Sequence, residues 1–478
     1  MNKIITTDIC VIGAGSGGLS VAAGAQQMGA NVVLIEKSKM GGDCLNTGCV
    51  PSKALLAAAH SARNAKNSSV FGIDANVSVD GEKVFSHVQN VIKQIEPHDS
   101  QERFEKLGVK VIRDHARFIS PSEVSAGGQI IKARRFVIAT GSRAFVPPIA
   151  GIEKVNVFTN ENIFELKIIP DHLIVIGGGP IGVEMAQAFC NLGAKVSLIE
   201  MATICPKDDP EMVDILRHSL IDDGIKIFEG AKVSGVANEN DNPVVFISDK
   251  NGNEIKISGS HLLVAAGRRP NVEDIGLDVA GVNVRTNAPG GIIVDRGLKT
   301  TNKKIYAIGD VAGGYQFTHV AGYHAGIVIR NALFKIPAKT NLNYVPWVTY
   351  TDPELSHAGL NENDAAKKFG SKIKVLKANF SDNDRARAEN KTVGKIKVIV
   401  TNSGKILGVT IVGPTAGELI APWVLAMEKG LKISAMAGTI APYPTLAEIS
   451  KRAAGSFYTP KLYGAGTRWL VRLLARFG

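Results

Sequence analysis

One pattern occurs twice in this chain, and the repeat limits what the chain can fold into. Residues 4 to 12 read as a buried strand that runs into Gly13-Ala-Gly15-Ser-Gly-Gly18, then a small-residue helix from Leu19 to Met28, then a strand from Val32 to Ile35 ending at Glu36. The pattern returns as a strand at Leu173 to Ile176, the turn Gly177-Gly-Gly179-Pro-Ile-Gly182, a helix from Val183 to Leu192 and a strand from Val196 to Ile199 closing on Glu200. In both copies the acid lies 23 residues after the first glycine. A lone GxGxxG says little. Between a strand and a helix, with an acid at that distance, it specifies a dinucleotide site. The glycines admit a pyrophosphate at the helix N-terminus and the carboxylate takes a ribose hydroxyl. Two copies imply two dinucleotides and a doubly wound α/β plan. No arginine cluster follows Glu200, which favours a free 2′-hydroxyl, hence NAD(H) over NADP(H).

A second stretch carries redox chemistry. Residues 41 to 55 read Gly-Gly-Asp-Cys-Leu-Asn-Thr-Gly-Cys-Val-Pro-Ser-Lys-Ala-Leu and hold Cys44 and Cys49, two of five cysteines. Helix formers after Cys49 put it near a helix start, where a thiolate is stabilised, and Lys53 four positions on projects from the same face. A zinc site would want a second Cys or His pair, and Cys10, Cys190 and Cys205 are scattered, so no metal is expected. Two buried structural cysteines would need neither the glycines nor the lysine. A redox-active disulfide is the preferred reading.

Composition excludes other classes. The formal charge of +11 is dispersed among acids without an aromatic-interleaved basic stripe, so no nucleic-acid partner is expected. No apolar run of membrane-spanning length and no signal-peptide pattern occurs at the start, and an odd, small cysteine count does not make a disulfide scaffold; a cytoplasmic location is expected.

Taken together, both glycine fingerprints, the stretch at 41 to 55, Ala139-Thr140-Gly141-Ser142, Ala265-Ala-Gly267-Arg-Arg-Pro-Asn271 and Ile305-Tyr-Ala-Ile-Gly-Asp310 resemble the pyridine nucleotide–disulfide oxidoreductases. That family includes dihydrolipoamide dehydrogenase, glutathione reductase and mercuric reductase. The resemblance covers nearly the whole chain. It implies an FAD-binding domain at 1–145 and 271–343, an NAD(H)-binding domain at 146–270, an α+β dimerisation domain at 344–455 and a tail at 456–478. By resemblance, FAD is held at the first fingerprint, with Thr140, Gly141, Asp310, His319 and Ala321, and NADH at the second, with Gly267. Asp310 would hold the ribityl chain, and His319 would offer chiefly a backbone N–H. Cys49 would face the flavin and Cys44 the substrate, with Lys53 and Glu184 paired beside the flavin N5. His324 and His357 have no recognisable partner and read as structural. An obligate homodimer is implied, its segment Ala441-Pro-Tyr-Pro-Thr-Leu-Ala-Glu448 completing the partner's site.

In that segment the chain departs from the disulfide reductases. They carry a histidine where this sequence has Tyr443, oriented by a glutamate that is kept here as Glu448. Deprotonating a dithiol near neutral pH wants a base of pKa ~7, and an unperturbed tyrosine lies near ~10. Mercuric reductases share the tyrosine, but they deliver metal through a further C-terminal cysteine pair, and this sequence has no cysteine after Cys205.

The expected function is an FAD-dependent, NAD(H)-linked dithiol/disulfide oxidoreductase, with a small dithiol or a lipoyl-bearing protein as partner. The alternatives are an NADH-dependent reductase of another acceptor, such as a quinone, dye or metal ion, and a non-catalytic nucleotide-binding protein. In the tail, Trp469, Leu470, Leu473, Leu474 and Phe477 share one helical face and Arg468, Arg472 and Arg476 another. Packing on its own domain, or contact with a protein partner, is preferred over membrane-surface contact.

Overall fold

The computed structural model describes residues 3–287 and 289–477. Three sheets organise it. In the first, Lys110–Ile112, Val32–Ile35, Lys3–Ile12 and Gln129–Ile138 run parallel, Ile305–Ala307 joins the far end of the last, and the antiparallel strands Glu123–Ala126 and Arg117–Ser120 extend the edge. The second repeats the plan with Lys226–Glu229, Lys195–Glu200, His172–Ile176, His261–Val264 and Val157–Phe158, all parallel. The third is antiparallel: Trp347–Thr349, Glu354–Gly359, Ile406–Gly413, Lys395–Thr401 and Ile373–Asn379. Val32–Ile35 is buried at every residue, as a parallel strand covered on both faces should be.

Both fingerprint helices begin three residues earlier than their apolar pattern indicates, as Ser16–Gln27 and Pro180–Asn191. The last glycine of each turn is already helical, and Pro180 takes the first-turn position where its missing N–H costs nothing. The two helices then dock differently. Ser16–Gln27 packs on Thr318–Ala332, with Gly24 against Ile329. Pro180–Asn191 packs on the dithiol helix, Cys49–Lys66, and so joins the second nucleotide module to the redox stretch.

The chain passes between the two nucleotide modules through a short ribbon in which Ser142–Ala144 pairs with Arg268–Pro270. The second module is also fastened to the third sheet. Lys397, only 5% exposed, has its ammonium 2.8 Å from Asp209, 3.0 Å from Glu211 and 2.5 Å from Glu362. A buried cation is tolerated because three carboxylates meet it. Arg63 adds a second tie, to Asp223 at 2.9 Å and Asp352 at 2.7 Å.

The tail corrects one half of an expectation, that it packs on its own domain; contact with a protein partner is the other half. Ala465–Leu474 is helical, but it has no buried residue and does not pack on its own domain. Helical periodicity fixes which residues share a face, not whether anything covers that face. Among the described residues no helix is long and apolar enough to cross a membrane.

Candidate active site

The two nucleotide modules and the dithiol helix enclose one cleft of about 1550 Å³. Each fingerprint is built by the same steric rules. Gly13 and Gly177 have positive φ, 104° and 109°, where a side chain would also strike the carbonyl of Ala139 or Ala265. Gly18 and Gly182 bring their helices against the carbonyls of Gly13 and Gly177, and neither lines the cleft. The middle glycines differ: a Cβ on Gly179 would meet nothing within 4 Å, and one on Gly15 only Gly42 at 3.9 Å. No protein group demands a glycine there. The space that the missing side chain leaves belongs to the cleft, and this fits a dinucleotide pyrophosphate lying on each helix N-terminus.

The acids repeat down to their hydrogen bonds. Glu36 accepts from the Ala14 N–H at 2.6 Å and the Ser38 N–H at 2.7 Å. Glu200 accepts from the Gly178 N–H at 2.7 Å and the Ala202 N–H at 2.8 Å. Each carboxylate is thus held by the turn it serves, with lone pairs left for a ribose hydroxyl.

Cys44 sits on the short helix Gly42–Asn46 and Cys49 is the first residue of Cys49–Lys66; both are free thiols. A hydrogen bond from Cys44 brings the Cys49 thiol down to about 6 against its burial, helped by Thr318, whose Oγ1 lies 3.4 Å from Cys49 Sγ, and by the Lys53 charge. The same bond to Cys49, with burial, pushes Cys44 up. The pair shares one proton, and the negative charge rests on Cys49.

Lys53 Nζ donates to Glu184 Oε2 at 2.8 Å. Burial pulls the lysine down, but Glu184 outweighs it and the net shift is upward. Tyr350 completes this group and was missed in the sequence. Its N–H donates to Glu184 Oε1 at 2.9 Å, and its ring lies 4.3 Å from the Lys53 ammonium. Thr318 was missed too, although it adjoins His319. Tyr350 lies in the stretch Trp347-Val-Thr-Tyr350-Thr-Asp-Pro353, whose aromatic and polar residues were the only available signal.

Asp310, in the turn Gly309–Ala312, is bonded by Ser142 Oγ at 2.5 Å, and burial raises its pKa. Arg268 donates to that same Ser142 oxygen at 2.8 Å and lies 3.2 Å from Asp43. His324 has a partner after all: Gly309 donates its N–H to His324 Nδ1 at 3.2 Å, so the histidine braces the turn that carries Asp310. His357 bonds Thr410 at 2.8 Å inside the third sheet. His319 bonds the Pro346 carbonyl at 2.9 Å. Thr140, Gly141, Gly267, His319 and Ala321 all line the cleft.

Tyr443 and Glu448 do not line the cleft of their own chain. Tyr443 is 71% exposed and donates to Asp384 at 3.2 Å, and Asp384 raises its pKa further. Glu448 instead accepts from the Thr445 N–H at 3.4 Å. The carboxylate bonded to the tyrosine is therefore Asp384, which spacing within the segment could not reveal.

The "Pyridine nucleotide-disulphide oxidoreductase" family model matches residues 7–325, and the dimerisation domain of the same name matches 345–454. The chain is 36% identical to a dihydrolipoyl dehydrogenase of Thermus scotoductus over 474 residues, which is 96% of this chain and 99% of that one. It is 35% identical to a mercuric reductase of Bacillus cereus over 453 residues, 94% of this chain and 71% of that one. Among solved structures, the Cu(II) complex of the HOCl-induced flavoprotein disulfide reductase RclA from Escherichia coli superposes with a TM-score of 0.85 at 29% identity, covering 95% of this chain and 100% of that one.

Proposed function

Because the chain belongs to the pyridine nucleotide–disulphide oxidoreductases, flavin enzymes that use FAD and NAD(P)H, we propose that it moves electrons between NAD(H) and a small dithiol or lipoyl group through Cys44 and Cys49. The proposed unit is a cytoplasmic homodimer, with residues 1–145 and 271–343 holding FAD, 146–270 NAD(H) and 344–455 the dimer contact. Gly13, Gly15 and Glu36 would hold the flavin nucleotide and Asp310 its ribityl chain. Gly177, Gly179, Gly267 and Glu200 would hold the nicotinamide nucleotide. Bound there, the flavin supplies the exchange between hydride and thiolate chemistry.

The protein's own part is thiol exchange and charge placement. A substrate thiolate attacks Cys44 of the oxidised pair, the Cys44–Cys49 bond breaks, and Cys49 leaves as a thiolate. A leaving thiol of low pKa leaves faster; the bond from Cys44, which lowers Cys49 most in the dithiol form, is not available once Cys44 carries the substrate, and Thr318, the Lys53 charge and the helix N-terminus are what then oppose the burial of Cys49. The second substrate thiol then attacks the mixed disulfide, and Cys44 departs and takes a proton. Glu184 holds Lys53 charged beside the thiolate. The observation that carries this reading is the convergence of Cys49, Lys53, Glu184 and Thr318 in a cleft shared by two dinucleotide fingerprints.

Tyr443 supports a second reading. Bonded to Asp384, with its pKa raised, it is a poor base for a dithiol, which favours an NADH-dependent reductase of another acceptor. Anaerobic mixing of the FAD-loaded protein with dihydrolipoamide and, separately, with NADH tests both. Fast flavin reduction by both donors supports dithiol chemistry. Reduction by NADH alone would overturn it in favour of the second reading.

A further inference from the structure

The last helix is an element that the fold leaves bare. Ala465–Leu474 has no buried residue, and Trp469 is 64% and Phe477 81% exposed. At 100° per residue, Trp469, Leu470, Leu473, Leu474 and Phe477 share one arc. Arg476, Arg472 and Arg468 lie about 90°, 130° and 170° from the centre of that arc, so they run from its edge onto the opposite face. From residue 449 to the end the sequence has six basic residues and no acid.

We propose that this helix lies flat on an anionic membrane surface, its apolar arc at the acyl boundary and its arginines among phosphate headgroups. Charge argues for this occupant. The six basic residues from 449 on have no carboxylate within the segment to pair them, so the face that carries the arginines calls for an anionic surface. Headgroup phosphates accept the guanidinium donors, and the acyl boundary takes the leucines and Phe477. Arg476, at the edge of the apolar arc, can bend its head up into the headgroup layer while its stem stays over hydrocarbon, and Arg468 and Arg472 on the outer face meet the phosphates directly. Trp469, on the border between the two arcs, has the mixed character suited to that depth. The helix is too short to span a bilayer, so the contact is peripheral. In the homodimer proposed above, two such tails would act together and tighten the contact without any new interaction.

The test is flotation of the full-length FAD-loaded protein with vesicles of phosphatidylcholine alone or mixed with phosphatidylglycerol. Three forms are compared: the intact chain, a chain ending at Gly464, and the double variant Leu473→Glu, Phe477→Glu. The expected result is at least about tenfold more protein on the phosphatidylglycerol vesicles, falling with added salt, and lost in both altered forms while flavin content and particle mass stay unchanged. Absence of phosphatidylglycerol-dependent flotation in the intact chain would overturn the proposal, and so would flotation that survives truncation. A truncated chain that loses dimer mass, the intact chain not floating, would show instead that a second copy covers the face.

Discussion

The two fingerprint modules share glycine geometry, sheet order and the hydrogen bonds of their acids, and of the positions at which they differ one bears on the thiols. Two residues after the last glycine, the first module has Ser20 and the second has Glu184. Ser20 is exposed and its hydroxyl bonds back to the Ser16 carbonyl of its own helix at 2.7 Å. Glu184 is buried and bonded to Lys53 and to the Tyr350 N–H. The reason lies in docking. The first helix meets Thr318–Ala332, whereas the second meets the dithiol helix, so only the second can deliver a charge to the thiols. A duplicated fold supplies the nucleotide-binding turns, and the catalytic asymmetry comes from what each helix is packed against.

The strongest test removes what the second helix serves. Cys49→Ser should lower dithiol turnover by on the order of 10³-fold or more while FAD stays bound, and the long-wavelength charge-transfer absorbance of a thiolate beside oxidised flavin, formed on two-electron reduction, should vanish. In the wild type, alkylation of the reduced protein should be half-maximal near pH 6, because the Cys49 thiol is lowered to about 6 and is mostly thiolate above that pH. A midpoint above pH 8 would mean that the proton-sharing pair is misread.

Next is the divergent position. Glu184→Gln should cut turnover about 10²-fold and move the alkylation midpoint of Cys49, since Lys53 loses its fixed partner. Its cost in stability should be only ~1 kcal/mol, because the Lys53 side chain is 37% exposed and water screens the loss. An unchanged rate would remove Glu184 from the machinery. Smaller again, Glu200→Arg should raise the KM for NADH roughly tenfold, by losing the carboxylate–ribose bond, and leave FAD content unchanged. If FAD were lost instead, the two modules would be assigned the wrong way round. Least of all, Ser20→Ala should change stability by less than ~0.5 kcal/mol and turnover not at all; a defect comparable to that of Glu184→Gln would dissolve the contrast between the helices.

Local patterns made much of this legible. Strand, glycine turn, helix and acid are contiguous, so both nucleotide sites can be read from the chain, and the i, i+4 relation gives Lys53 from Cys49. Contacts made by docking were not legible. Tyr350 reaches Glu184 across 166 residues of sequence and Thr318 reaches Cys49 across 269, and no periodicity encodes such meetings. The resemblance placed Glu448 where a glutamate orients the family's histidine, but the carboxylate bonded to Tyr443 comes from the helix Asp384–Ala388. The tail shows the same limit: its amphipathic face was readable, and its lack of a protein cover was not.

The ties around Lys397 and Arg63 bear on how a dinucleotide enters and leaves. The second module is an inserted body whose chain comes and goes through one ribbon, Ser142–Ala144 with Arg268–Pro270, and it is tied besides to the third sheet by Lys397 through Asp209 and Glu211. A body tied by more than its own chain connections is closer to a wall than to a jaw. Such ties oppose a hinge between the two nucleotide beds, so releasing them, rather than altering the beds themselves, is what would let their spacing vary.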